Sequence, residues 1–120
     1  SEAEHIRDFI VLHYRLNARH GEPFWDHLRT MPIPDSLAQR MALFENSGRV
    51  FKPQDDVFSE NSWVQVMLGQ GLKPKGYHNI ADAMSSQQLS AYLASTAEQV
   101  AKKLQSMPKH DEFVKRYSAL

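Results

Sequence analysis

Hydrophobic residues recur every three or four positions over most of the chain, which is the spacing of one face of an α-helix. The pattern predicts helices over about 4–17, 23–29 and 35–47, and prolines and glycines interrupt the pattern between them. In the first helix the predicted apolar face consists of Ile6, Phe9, Ile10, His13 and Leu16. In the third helix it consists of Leu37, Met41 and Phe44.

The later part of the chain contains both the least and the most regular of the predicted helices. A helix over about 59–70 has apolar residues around most of its circumference, which predicts a central position in the core. After a single turn near 80–83, Ser85 and Gln88 form a capping box at the start of a long helix. We expect its regular apolar stripe to face the core, and the stripe consists of Leu89, Leu93, Thr96, Val100, Leu104 and Met107. A last short helix follows over about 111–117.

These patterns predict an all-α fold of five to six helices, with at most one short extended segment between Arg49 and Phe51. A chain of 120 residues has enough apolar surface for one hydrophobic core. We therefore expect residues 1–120 to form a single helical module. Because the chain opens directly into a helical pattern without an initiator Met, we also expect it to be a fragment of a larger protein.

Charge and composition exclude several classes of partner. Fourteen basic and fourteen acidic side chains cancel, so no long-range field attracts nucleic acid or an anionic membrane. No apolar run approaches the roughly 18 residues that a membrane span needs, and the acidic start is unlike a signal peptide. The absence of cysteine excludes disulfides and thiolate chemistry and agrees with a reducing compartment. We expect a cytoplasmic protein that binds neither nucleic acid nor membrane.

Candidate metal and phosphate sites are weak in this sequence. Three histidines lie seven residues apart, but Gly21 and Pro23 place them on different elements: His13, His20 and His27. No HExxH motif accompanies them, so we expect no bound metal. Gly69 and Gly71 form a GxG that follows a helix instead of opening one. This pair is typical of a helix end, not of a phosphate-binding loop.

Acidic and aromatic residues cluster around the loop that precedes the fourth helix. Asp55, Asp56 and Glu60 are predicted to be solvated loop and helix-start acids, so we assign no catalytic residue among them. Most aromatic residues in the chain are expected to pack in the core. An aromatic residue near the 52–60 loop has two alternatives, since it either packs in the core or contacts a flat ligand.

Five groups of short motifs occur in order over nearly the whole chain. They are Arg7-Asp8-Phe9-Ile10 with His13-Tyr14, Pro23-Phe24-Trp25, Met31-Pro32-Ile33-Pro34-Asp35-Ser36-Leu37, Gly48-Arg49-Val50-Phe51 and Trp63-Val64-Gln65-Val66-Met67-Leu68-Gly69-Gln70-Gly71. This ordered set resembles the C-terminal part of the flavin-dependent tryptophan halogenases.

The resemblance implies a division of labour between this chain and a missing part. Family members carry an N-terminal FAD-binding domain and a helical C-terminal part that closes over the organic substrate. Reduced flavin, oxygen and chloride or bromide give hypohalous acid, which reaches a lysine beside that substrate. This chain has no GxGxxG unit, no WxWxIP motif and no counterpart of the lysine. The resemblance therefore implies no cofactor in this chain, with FAD in an N-terminal domain that is its partner.

The resemblance also implies which residues contact the substrate, an aromatic small molecule. Tryptophan-specific members have a Phe–Trp step whose tryptophan stacks on the indole, and Val57 and Phe58 occupy that step here. An asparagine of those members corresponds to Asn61 or Ser62. The loop over 52–59 is shorter and lacks the tyrosine pair and glutamate that hold free tryptophan. We therefore expect Phe58, Val57, Asn61 and Ser62 to bind a larger or less polar indole or phenol.

Two functions remain open at this stage. The chain is either the substrate-binding part of a flavin-dependent halogenase or a stand-alone, non-catalytic helical binding or scaffold module. In both cases the fragment alone is not an enzyme, whereas the presumed full-length halogenase is an oxidoreductase. The coding sequence immediately before Ser1 separates the two hypotheses.

Overall fold

The computed structural model describes residues 1–54 and 56–118, and these residues form six α-helices and one short 3-10 helix. The α-helices are α1 (Glu2–Arg15), α2 (Pro23–Thr30), α3 (Asp35–Ser47), α4 (Glu60–Gly69), α5 (Ser86–Ser106) and α6 (His110–Tyr117), and the 3-10 helix is Asn79–Ala83. Within the described ranges there is no strand, and the backbone from Arg49 to Phe51 has no regular secondary structure. The prediction of an all-α fold is confirmed.

Local chemistry accounts for the helix boundaries, which lie within about two residues of the predicted ones. Pro23 opens α2 at a position where its missing N–H is not needed. Ser59 caps α4, because its Oγ accepts a hydrogen bond from the Ser62 N–H at 3.1 Å. Gly48 ends α3 in the left-handed conformation, with φ of 67°. A Cβ on Gly76 would overlap the Asn46 carbonyl oxygen, so the close approach of these two segments requires glycine.

The chain divides into two compact units, Ser1–His78 and Asn79–Leu120. In the first unit α1 packs against α2, α3 and α4. The five buried hydrophobic residues of its core are Leu12, Leu37, Phe44, Trp63 and Met67. The prediction for α3 is therefore confirmed, and α4 contributes to the core, but the helix that packs against the three others is α1. Leu37 and Phe44 of α3 are buried with Met41 packed beside them, and α4 contributes Trp63 and Met67.

The predicted apolar face of α1 is wrong in part. Leu12, which the predicted face omits, is completely buried, whereas Ile10 is half-exposed and His13 is exposed. The buried face is displaced because it also contains Asp8, a polar residue that a hydrophobic pattern does not count. Asp8 is 1% exposed, and it accepts hydrogen bonds from the Arg7 side chain at 2.7 Å and from the Ser36 hydroxyl at 2.5 Å.

The second unit consists of the 3-10 helix, α5 and α6. The predicted capping box is confirmed, since the Ser85 N–H donates to Gln88 Oε1 at 2.9 Å and the Gln88 N–H donates to Ser85 Oγ at 3.2 Å. Within the second unit the expectation that the α5 stripe faces a core is wrong, because Leu93 is 58% exposed and Leu104 63% exposed. Helical periodicity reports that a face is apolar, but it does not report what covers that face. The single module over residues 1–120 stays a prediction.

Candidate functional site

The loop before α4 is held by a buried carboxylate. Asp56 Oδ2 accepts hydrogen bonds from Arg40 Nη1 at 2.8 Å and from Trp63 Nε1 at 3.1 Å, while Oδ1 accepts one from the Phe58 N–H at 3.0 Å. The Arg40 guanidinium also lies over the Trp63 ring, with Cζ 3.9 Å from the ring centroid. This network, which we call the Asp56 network, joins α3, α4 and the loop between them.

The electrostatics of the Asp56 network favour the ionised carboxylate. Burial raises the pKa of Asp56, but hydrogen bonds from Arg40 and from the Phe58 N–H act in the opposite direction. Together with the positive charge of Arg40 they hold the pKa below its ordinary value of 3.8. At neutral pH the charges of Asp56 and Arg40 therefore offset each other inside the unit.

The prediction of solvated acids in this loop is wrong for Asp56 and holds for Glu60. Asp56 is only 5% exposed, because its three donors replace the water that a carboxylate normally binds. Glu60 lies in the first turn of α4, where a negative charge favours the helix dipole. Asp55 lies outside the described residues.

Phe58, the predicted stacking residue, lies in an aromatic cluster of the first unit. Its ring stacks on Phe9 with centroids 3.9 Å apart and planes 19° apart. Phe9 in turn meets the Trp63 ring edge-on at 4.9 Å. Phe58 is partly buried and packs against the core. Of the two alternatives for an aromatic residue in this loop, core packing therefore applies to at least one face of the Phe58 ring.

The other predicted substrate-binding residues lie on either side of the start of α4. Val57 is 55% exposed, and Asn61 is also exposed. Ser62 is partly buried, and its hydroxyl lies 2.9 Å from the Ser59 hydroxyl. The structure thus places Val57, Phe58, Asn61 and Ser62 on one short segment, which the Asp56 network fixes at the Phe58 N–H.

A cavity of about 360 Å³ lies elsewhere on the first unit, against α1, α3 and the segment after α3. Its lining residues are His5, Ser36, Gln39, Arg40, Leu43, Phe51 and Pro53. A second cavity, of about 210 Å³, shares Leu43 and Phe51 with it. Phe51 is 68% exposed, which is a large apolar exposure for a side chain that lines two cavities.

Neither metal nor flavin chemistry has a suitable arrangement of groups here. The described residues contain no group of three or more His, Asp or Glu side chains that could hold a metal ion. Gly69 and Gly71 lie at the C-terminal end of α4, where the helix dipole is negative and disfavours the FAD pyrophosphate. The position of this GxG therefore does not fit the pyrophosphate of FAD.

These observations define a helical module with a fixed aromatic loop and a separate cavity. A sequence model of the tryptophan halogenase family matches residues 1–86, which is more than half of the chain. The chain belongs to the tryptophan halogenase family, and the resemblance seen in its motifs is confirmed. Among the described residues, no helix combines the length and the apolar character that crossing a bilayer requires.

Solved structures and a characterised relative agree with that membership. The flavin-dependent halogenase Xcc4156 from Xanthomonas campestris is 47% identical, with a TM-score of 0.90 over 97% of this chain and 24% of its own. BrvH, a flavin-dependent halogenase from Brevundimonas sp. BAL3, is 34% identical, with a TM-score of 0.85 over 95% of this chain and 23% of its own. The 7-chloro-L-tryptophan 6-halogenase KtzR from Kutzneria sp. (strain 744) is 26% identical over 96% of this chain and 23% of its own length. The chain spans about a quarter of the length of these relatives.

Sequence reasoning missed three residues that shape this region. Asp56 and Arg40 look like ordinary surface charges in the sequence, and no period connects positions 16 residues apart. One signal was present, since a tryptophan with an N–H to satisfy needs an acceptor when it is buried. Phe51 was predicted as part of an extended segment and of a family motif, but its exposure beside a cavity depends on the fold around it.

Proposed function

We propose that this chain is the substrate-binding helical part of a flavin-dependent halogenase that chlorinates or brominates an indole-type aromatic molecule. The observation that carries the proposal is membership of the tryptophan halogenase family over residues 1–86. The activity of KtzR as a 7-chloro-L-tryptophan 6-halogenase supports an indole ring as the type of substrate. A cytoplasmic location is part of the same proposal.

The proposed reaction replaces an aromatic C–H bond by a carbon–halogen bond. Its other reactants are halide, a proton, dioxygen and reduced flavin, and its other products are two molecules of water and oxidised flavin. In this proposal the flavin belongs to a part of the longer protein outside this chain, since the GxG here ends a helix and the chain spans about a quarter of its relatives. This chain contributes the shape and the contacts that orient the aromatic ring. Orienting the ring before reaction lowers the entropic cost of reaching the transition state.

In this proposal the substrate contacts Phe58, Val57, Asn61 and Ser62. Phe9 supports one face of the Phe58 ring at 3.9 Å, so the ring is fixed before any ligand arrives. Asp56 fixes the backbone at the same residue. A preformed contact loses less conformational entropy on binding than a mobile one. Exposure of Val57 and Asn61 leaves them accessible beside that ring.

The proposed partner of the second unit is the N-terminal FAD-binding domain of the same protein. The apolar stripe of α5 is exposed over its length, and burying it would remove a large apolar area from water. The chain spans about a quarter of its relatives, so a protein of their length has ample surface to cover this helix.

A matched pair of variants in the longer protein tests this docking. Leu93→Asp introduces a charge into the stripe, and Ser95→Asp introduces the same charge about 200° around the helix. We expect Leu93→Asp to increase the rate of limited proteolysis near α5 at least about tenfold, while Ser95→Asp leaves it unchanged. Equal protection of the two variants would contradict a covered stripe.

The activity itself is tested with the full protein encoded by the reading frame that contains this chain. The purified protein receives FAD, a flavin reductase, NADH, bromide and indole, and mass spectrometry detects product by the isotope pattern of bromine. We expect brominated indole with the full protein and none with residues 1–120 alone. A reading frame that encodes no FAD-binding domain, or a full protein without product on indole and phenol substrates, would favour the stand-alone binding module instead.

A titration of residues 1–120 with oxidised FAD tests the division of labour separately. We expect no specific binding, because no described segment presents a strand-to-helix turn with N–H groups aimed at a pyrophosphate. Flavin fluorescence quenching with a dissociation constant at micromolar concentration or below would contradict this expectation.

A further inference from the structure

We infer that Arg40 of α3 is a positioning residue for substrate binding, because it holds the 57–62 segment in place through Asp56. The inference rests on the proposed function, since it concerns the same site, and it extends that site to a residue of another helix. It assigns no chemical step to Arg40. Loss of the Arg40 side chain should therefore weaken binding of the aromatic substrate and leave the chemical step unchanged.

The backbone at the start of the 57–62 segment depends on a side chain for its conformation. Val57 and Phe58 lie outside regular secondary structure, and α4 begins only at Glu60. The Phe58 N–H donates to Asp56 Oδ1 at 3.0 Å, so a carboxylate two residues earlier takes the place of a backbone acceptor. This turn is fixed only as well as the carboxylate itself is fixed.

Arg40 fixes the second oxygen of that carboxylate. Asp56 Oδ2 accepts hydrogen bonds from Arg40 Nη1 at 2.8 Å and from Trp63 Nε1 at 3.1 Å. Both groups of the Arg40 contact are charged, whereas the Trp63 indole is neutral, so Arg40 supplies the stronger of the two hydrogen bonds. The side chain of Arg40 is 10% exposed and that of Asp56 is 0% exposed, so little water competes for the pair.

Arg40 is itself held by the core of the first unit. The buried residues Leu37 and Phe44 lie three positions before it and four after it, on the same side of α3. The Arg40 guanidinium also lies over the Trp63 ring, with Cζ 3.9 Å from the ring centroid. A continuous series of contacts therefore runs from the packed face of α3 through Arg40 and Asp56 to the Phe58 N–H.

Steady-state kinetics of the full protein with indole test the inference. Arg40→Met keeps the length of the side chain and removes its charge and its hydrogen bonds. Ordering one side chain at a binding site reduces affinity about two- to twelvefold, so we expect KM for indole to rise by that factor. We expect kcat to stay within about twofold of the parent, because a change in KM alone reports lost binding.

A control and a conservative variant separate positioning from a general loss of stability. Arg29→Met also removes an arginine of the first unit that pairs with an acid, Asp26, and it should leave KM unchanged. Arg40→Lys keeps a positive charge without the planar fork, so it should recover part of the affinity. An unchanged KM in Arg40→Met, or an equal rise in Arg29→Met, would overturn the inference.

Hydrogen exchange of the 120-residue chain tests the contact with Phe58 without any substrate. The amide of Leu12, in the packed helix α1, follows unfolding of the whole first unit. We expect Arg40→Met to accelerate exchange at the Phe58 amide at least about tenfold more than at the Leu12 amide. Equal acceleration of the two amides would mean that Arg40 stabilises the unit only as a whole, and would overturn the inference.

Failure of this inference is distinguishable from failure of the proposed function. A parent protein that forms no brominated indole would contradict the proposed function, and with it the substrate role of Arg40. A parent protein that forms product while Arg40→Met leaves KM unchanged would contradict only the positioning role.

Discussion

Helices α4 and α5 differ in how the regularity of their apolar pattern relates to the burial of their side chains. The helix with the more regular pattern is the more exposed one. Helix α5 carries the most regular apolar stripe in the chain, yet Leu93, Val100 and Leu104 are all more than half exposed. Helix α4 has apolar residues around most of its circumference and no single stripe, yet Trp63 and Met67 are completely buried. In this chain, burial within a unit accompanies broad apolar coverage of the helix and does not accompany a regular apolar stripe.

The difference in burial between α4 and α5 also indicates that the two units are stabilised in different ways. The first unit buries its apolar residues within itself, so single substitutions in α4 act directly on its folding free energy. The second unit exposes its stripe, so substitutions in α5 act on whatever covers that stripe in a longer protein. Both tryptophans of the chain, Trp25 and Trp63, lie in the first unit, and their fluorescence therefore follows the unfolding of that unit alone.

The largest expected effect is that of Trp63→Ala in α4. Trp63 is 0% exposed, and its removal leaves a large cavity and deprives buried Asp56 of one hydrogen-bond donor. We expect the free energy of unfolding of the first unit to fall by about 3–5 kcal/mol. Urea titration followed by the fluorescence of Trp25 measures the change. The control Gln65→Ala, at an exposed position of the same helix, should shift stability by about 1 kcal/mol or less.

The next effect is that of Asp56→Asn, which keeps the shape of the side chain and removes its charge. We expect a loss of about 1.5–3 kcal/mol at pH 7, the range for hydrogen bonds to a charged group. Because the pKa of Asp56 is lowered by folding, its contribution is complete above the unfolded pKa and is lost as pH falls through the folded pKa. The difference between the two proteins should therefore shrink as pH falls from just above 3.8 to below it.

This pH series isolates Asp56 from another acid with the same sign of shift. Hydrogen bonds from the N-terminal ammonium and the Ser1 hydroxyl lower the pKa of Glu4. Glu4 is present in both proteins, so its contribution cancels in the difference between their unfolding curves. A stability difference that stays constant between pH 7 and pH 2 would contradict the role of the Asp56 carboxylate.

A smaller effect is expected for Phe58→Ala. The ring is partly buried and stacks on Phe9, so we expect a loss of about 1–2 kcal/mol, which extends below the roughly 1.5–3 kcal/mol for complete burial of a large side chain. Phe58→Leu retains most of the buried volume and should recover part of that loss. In the full protein, the proposed stacking role requires that both variants also weaken aromatic substrate binding. A loss of stability with unchanged affinity would leave Phe58 as a packing residue only.

Helix positions could be predicted from the sequence because their causes are local. Pro23, Gly48 and the pair Ser85 and Gln88 act through their own backbone or through neighbours three residues away. The buried face of α1 was less predictable, because one of the partners of buried Asp8 is the hydroxyl of Ser36, 28 residues away. A hydrophobic pattern along one helix does not identify a partner that is distant in the sequence.

The candidate site was predicted through resemblance more than through chemistry. The segment with Val57 and Phe58 could be placed by motif order, whereas the burial of Asp56 depends on Arg40 and Trp63 from two other helices. The cavity beside Phe51 required the fold, since its lining comes from α1, α3 and the segment that follows α3. The sequence does not show which polar groups pair over long distances along the chain, and the burial of Asp56 depends on that pairing.

The smallest expected effect, that of Leu93→Ala in α5, is also the most direct way to break the comparison of the two helices. The periodic stripe alone would place Leu93 in a core and predict a loss of about 2–5 kcal/mol. Its 58% exposure instead predicts a change of about 1 kcal/mol or less in the 120-residue chain, since little apolar surface returns to water and alanine is a slightly better helix former.

Tryptophan fluorescence does not follow this unit, so hydrogen exchange of the α5 amides, measured by mass spectrometry, is the appropriate readout. Ser95→Ala on the opposite face is the matched control, and both variants should exchange within about fivefold of the parent chain. If Leu93→Ala accelerated exchange along α5 by a hundredfold while Ser95→Ala did not, the stripe would be packed in solution. The apparent difference between α4 and α5 would then be wrong.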